Sequence, residues 1–189
     1  MNEKLERQNS NKKRGYAAKE CAFVAVFVAL VIAAQLVLSF LPGVEVVTVL
    51  FVSYAFVMGW KRGVIAACVF SLLRQIVFGI FPVVLILYLI YYTLLALCFG
   101  ALGKRIKKTT KFLPLIIAIA CVGTVSFTML DNLLTPLWYG YGAKAARLYF
   151  YSSLPFMIPH VICTAVSVAC LFLPLTFVFR KVRSMLERG

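Results

Sequence analysis

Four ionisable side chains interrupt the apolar stretches of this chain: Glu45, Arg74, Asp131 and His160. A charge at the centre of an apolar membrane helix costs roughly 2.5–3.5 kcal/mol on insertion scales, so such groups mark sites that bind, pair or relay. Two carboxylates, a guanidinium and an imidazole can hold a polar ligand or pass a proton. Gln75 and Asn132 stand next to two of them and add amide donors and acceptors. Tyr88, Trp138, Tyr139 and Tyr141 supply ring faces against which a flat ligand can stack. The competing reading of the charges is a buried bridge from Arg74 to Glu45 or Asp131, which would hold the bundle together without binding anything. For His160 the competing reading is a structural histidine, and for the aromatics an interfacial belt.

Covalent chemistry finds no support. No nucleophile–base pair or HExxH segment occurs, and no group of His, Cys and carboxylates has metal-ligand spacing. We therefore expect no catalytic residues, no metal and no cofactor. The six cysteines each lie inside an apolar run without a CxxC pair, as small packing residues do. The segment Gly100-Ala101-Leu102-Gly103-Lys104-Arg105 lacks the GxxxxGK[ST] spacing of a phosphate loop, with Arg105 where a hydroxyl would meet magnesium. It reads as a helix end followed by a basic anchor, and the chain has no means of hydrolysing ATP by itself.

The elements that must position these residues follow from hydropathy. The chain has 189 residues, of which 63% are hydrophobic and only 14% charged. A soluble domain of this size could not hide that much apolar surface. Six apolar runs are long enough, or nearly so, to cross hydrocarbon. They are Cys21–Phe40, Val44 to about Trp60, the run after Lys61-Arg62-Gly63 to about Phe81, Val83–Leu102, Phe112 to about Asp131, and about Phe156–Phe179. A longer connection, Thr135–Ser153, separates the last two, and its Gly140 and Gly142 suggest a loop able to bend over a pocket. Leu41-Pro42-Gly43 suggests a second, shorter lid.

Charge sets the orientation, because cytoplasmic loops collect Lys and Arg. All of the twenty except Arg74, Lys144 and Arg147 fall on one side of this alternation. The expectation is an all-α membrane protein, a bundle of six transmembrane helices with both termini cytoplasmic. Residues 1–19 form a polar cytoplasmic segment, 20–183 the transmembrane substrate-binding domain, and 184–189 a cytoplasmic tail. The net charge of +14 is explained by this topology, so no nucleic-acid partner is expected. All four ionisable groups then fall in the outer half of the membrane.

Several local features carry a resemblance. Ala25, Ala29 and Ala33 recur every four residues in the first run, the small-residue spacing that lets helices approach closely. Pro42-Gly43-Val44-Glu45 leads into a short second run ending Gly59-Trp60-Lys61-Arg62-Gly63, and Leu154-Pro155-Phe156 precedes His160. With six spans in so short a chain, the sequence resembles the substrate-binding S components of energy-coupling factor (ECF) vitamin transporters, from about Glu20 to Arg183. The resemblance implies a bacterial plasma-membrane protein that captures a vitamin-like micronutrient at the outer face. It implies association with a transmembrane coupling protein and two cytoplasmic ATPases, with Ala25, Ala29 and Ala33 as the docking stripe. Glu45, Arg74, Gln75, Tyr88, Asp131, Asn132, Trp138, Tyr139, Tyr141 and His160 become the pocket candidates. The alternative from the residues alone is a small proton-coupled carrier, with Asp131 or His160 as the relay.

Overall fold

The computed structural model describes residues 2–40, 46–106 and 109–188. Six helices run in order: α1 (Asn2–Leu38), α2 (Val47–Met58), α3 (Trp60–Phe78), α4 (Pro82–Arg105), α5 (Leu113–Trp138) and α6 (Ala143–Arg188). No strand occurs among the described residues. Four of the helices contain segments long and apolar enough to cross a membrane: Ala17–Leu38, Pro82–Arg105, Leu113–Trp138 and Ala143–Glu187. The other two depart from that pattern for separate reasons. α2 has only 12 residues, about 18 Å of rise. α3 carries Lys61, Arg62 and Arg74 within its 19 residues.

The helix limits follow from backbone chemistry. Pro82 opens α4 and Pro114 sits in the first turn of α5, where a missing N–H costs nothing. Lys104 and Arg105 close α4, facing the negative end of its dipole. Between α2 and α3 the chain turns on Gly59 alone, at φ 87°, a backbone conformation that side chains disfavour. The connection read from sequence as Thr135–Ser153 is much shorter. α5 continues through the buried Pro136 to Trp138, and α6 starts at Ala143, so only Tyr139–Gly142 lies outside a helix. The polar segment before Lys19 is likewise helical and continuous with α1.

Side-chain contacts give the helices their sense. At one end the Arg62 guanidinium pairs with the Glu20 carboxylate, Arg180 donates to the Thr109 hydroxyl (2.7 Å) and Arg183 to the Val57 carbonyl (2.8 Å). This basic end joins the start of α3 to α1, and the end of α6 to the end of α2 and to Thr109 ahead of α5. At the far end Gln35 of α1 meets Tyr88 of α4, and Asp131 of α5 meets Tyr149 of α6. Large apolar side chains such as Val26, Leu72, Val122 and Ile162 face outward from α1, α3, α5 and α6.

The core forms around α2, all of whose residues are buried. Phe27 of α1 stacks on Tyr54 with ring centres 3.9 Å apart, Phe51 packs against Tyr92 at 4.5 Å, and Phe56 meets Phe172 edge-on at 5.3 Å. Small residues let α4 come close. A Cβ on Gly103 would collide with the Phe56 carbonyl oxygen, and one on Gly100 with the Trp60 backbone nitrogen. The segment that faintly resembled a phosphate loop thus owes its glycines to helix packing. We expect Gly103→Val or Gly100→Val to lower stability by about 1–3 kcal/mol, the usual cost of overpacking. Gly142→Val, with nothing within 4 Å, should be near neutral in the same thermal-unfolding measurement.

Candidate functional site

α5 and α6 pack side by side, and the polar residues between them change character along the contact. Near mid-length the Thr124 and Thr164 hydroxyls lie 2.9 Å apart, fully buried. One turn further, the Cys121 thiol reaches the Val161 carbonyl at 4.0 Å. Toward the far end the two helices part around a cleft of about 330 Å³. From α5 it is lined by Phe127, Thr128 and Asp131. From α6 come Tyr149, Ser152 and Ser153, then Phe156, Met157 and His160. The volume lies at the small end of the range for ligand pockets.

Among the described residues, Asp131 is the only carboxylate lining the cleft. Both its oxygens are held by neutral hydroxyls: Thr135 donates to Oδ1 at 2.8 Å, and Tyr149 donates to Oδ2 at 2.8 Å. Asn132 Nδ2 donates to the Ser153 hydroxyl at 2.8 Å, a second polar link between α5 and α6. The Phe127 ring forms a wall, edge-on to Tyr88 at 5.7 Å, to Tyr91 at 4.9 Å and to His160 at 6.4 Å.

Arg74 sits on the other side of that wall. Its guanidinium lies 4.2 Å over the Tyr88 ring and 4.9 Å over Phe78. No carboxylate among the described residues pairs with it, and its Nε is buried without a hydrogen-bond partner. The bridge to Asp131 considered from sequence is therefore absent, and aromatic faces flank this charge. Nearby, Gln35 Nε2 donates to the Tyr88 hydroxyl at 3.3 Å while Gln35 Oε1 is unpaired. Gln75 Oε1 accepts from the Phe81 backbone N–H at 3.0 Å, which ties the end of α3 to the start of α4.

The sequence candidates thus divide. Asp131 and His160 meet at the cleft, and Asn132 braces one of its serines. Arg74, Gln75 and Tyr88 form an adjacent cluster behind Phe127. Trp138, Tyr139 and Tyr141 lie at the α5–α6 turn and are exposed. Tyr139 and Tyr141 stack at 6.0 Å, and Tyr141 meets Tyr149 edge-on at 6.2 Å. Glu45 and the Leu41-Pro42-Gly43 lid lie outside the described residues, so the proposed Arg74–Glu45 bridge is not described. Ala25, Ala29 and Ala33 are all exposed on α1. Among the described residues no three of His, Cys, Asp and Glu gather into a metal site.

Sequence reasoning did not include Thr128, Tyr149, Ser152, Ser153, Phe156 or Met157 among the site candidates. A signal for them existed. Tyr149, Ser152, Ser153, Phe156, Met157 and His160 follow one another at helical spacings of three and four, but only if α6 is extended back through the presumed loop.

No protein-family model, no curated protein and no solved structure matches this chain.

The Tyr149–Asp131 bond links two helices through a charged acceptor, worth roughly 1.5 kcal/mol. A double-mutant cycle of Tyr149→Phe and Asp131→Asn, read by thermal unfolding, should return a coupling of that size. Additive effects would show that the bond contributes nothing.

Proposed function

We propose that this chain is a membrane-embedded receptor subunit of the ECF S-component type. In this reading it captures a small ring-bearing micronutrient at the outer face of a bacterial plasma membrane. A coupling protein and two ATPases then complete delivery. The observation that carries the reading is the cleft between α5 and α6. Its carboxylate, hydroxyls and aromatic walls combine the apolar surface and few placed polar groups of a ligand site. It opens at the end of the bundle opposite Lys61, Arg62, Arg180 and Arg183. A positive-inside topology would put those residues in the cytoplasm and the cleft outside.

Further support comes from α1. Ala25, Ala29 and Ala33 stay exposed although small residues pack well inside bundles, which leaves the stripe available to a partner helix. The outward-facing apolar residues fit a lipid surround, since soluble proteins rarely expose such patches.

A second reading has one specific observation in its favour. Asp131 and His160 line the same cleft and could pass a proton in a stand-alone carrier. Uptake into liposomes by this chain alone, driven by a pH gradient, would support that reading. The receptor reading expects none.

Purified chain should bind without ATP, so a thermal-shift screen of vitamins and nucleobase-like compounds should raise the unfolding temperature with at least one class. Silence across a broad panel would contradict the reading. Ala29→Leu should spare that binding and abolish recovery of the coupling protein and ATPases in a pull-down; unchanged recovery would remove α1 as the docking face.

A further inference from the structure

The polar groups of the α5–α6 cleft are biased toward acceptors. Tyr149 spends its hydroxyl proton on Asp131. Ser152 donates to the Tyr149 carbonyl and Ser153 to the Phe150 carbonyl, each at 2.8 Å. Thr128 donates to the Thr124 carbonyl at 3.4 Å. Every hydroxyl lining the cleft has thus committed its proton and keeps lone pairs.

Charge runs the same way. The Asp131 carboxylate accepts from Thr135 and Tyr149, neither of which is a cation. No Lys or Arg among the described residues lines the cleft, and the Arg74 guanidinium is stacked on Tyr88 and Phe78 instead. An anionic ligand would meet a like charge and lone pairs. A ligand bearing N–H⁺ donors would meet a carboxylate and acceptors, with Phe127 and Phe156 to cover its apolar face.

We infer that the cleft takes a small cationic ligand, a protonated amine or amidine-type nitrogen on a flat ring, with Asp131 as its counter-ion. The inference rests on the receptor reading and adds the charge of the substrate to it. The volume admits a single ring with short substituents in the cleft itself.

The test compares three compounds of one shape. Benzamidinium, benzamide and benzoate carry positive, zero and negative charge on the same ring. Dissociation constants are measured by ligand-observed NMR on the full chain in zwitterionic nanodiscs, with empty nanodiscs as the blank. Benzamidinium should bind at least about tenfold more tightly than benzamide, as a charge-assisted contact requires, and benzoate should bind more weakly still. Asp131→Asn should bring benzamidinium down to the affinity of benzamide, whereas Tyr149→Phe, which keeps the carboxylate, should preserve the order. Equal affinities in the wild-type chain, tighter benzoate, or a preference that survives Asp131→Asn would overturn the inference. The wild-type comparison decides even if a variant fails to fold. A vitamin screen won by an anion would retain the receptor and reject the cation, while silence in both assays would reject both.

Discussion

All twelve residues of α2 are buried, and the other helices are arranged by the need to enclose it. A helix of about 18 Å is too short to span roughly 30 Å of hydrocarbon. It also contains Thr48, Ser53 and Tyr54, whose oxygens are buried without partners. Such an element is stable only when wrapped by protein, because its apolar side chains avoid water and its polar atoms avoid lipid. The aromatic contacts of Phe27, Phe70, Tyr92, Phe172 and Phe179 provide that wrapping. Gly100 and Gly103 let α4 lie against the end of α2 and the turn that follows it.

The location of the cleft follows from the same constraint. The lower half of α6 packs on α2 through Phe172 and Phe179, and Arg183 caps the Val57 carbonyl. Its upper half has α5 as its polar partner, through Thr164, Ser153 and Tyr149. With two helices rather than a packed centre to fill the space, the far end keeps a cavity between Phe127 and Phe156. Hydrogen bonds from Thr135 and Tyr149 fix the Asp131 carboxylate, so the group is preorganised rather than free to swing.

Much of the helical architecture was legible because hydropathy and punctuation agree. Gly59, Pro82 and the basic residues after Leu102 each mark a boundary that the structure keeps. The α5–α6 region was not legible for a physical reason. Gly140 and Gly142 read as loop residues, and the stretch Thr135–Ser153 around them as a connection. In the fold, Asp131–Tyr149 and Asn132–Ser153 bonds hold both helices together through that stretch, and tertiary contacts override local preference. Asp131 and His160 were found because ionisable groups stand out in apolar runs. Ser152 and Ser153 were hidden because small hydroxyls carry no such contrast. The ring faces beside Arg74 were missed because only charge pairing was considered for it, although Tyr88 was already a candidate.

The central claim is that the α5–α6 cleft holds a small molecule. Native mass spectrometry of the chain, purified from the membranes of its own host, tests it most directly. The account predicts a non-lipid adduct of a few hundred daltons on the wild-type protein, roughly the size such pockets accept. The adduct should be lost from a Ser152→Trp variant, whose indole would fill the space. Lipid adducts alone, or a small-molecule adduct that persists when the cleft is filled, would contradict it.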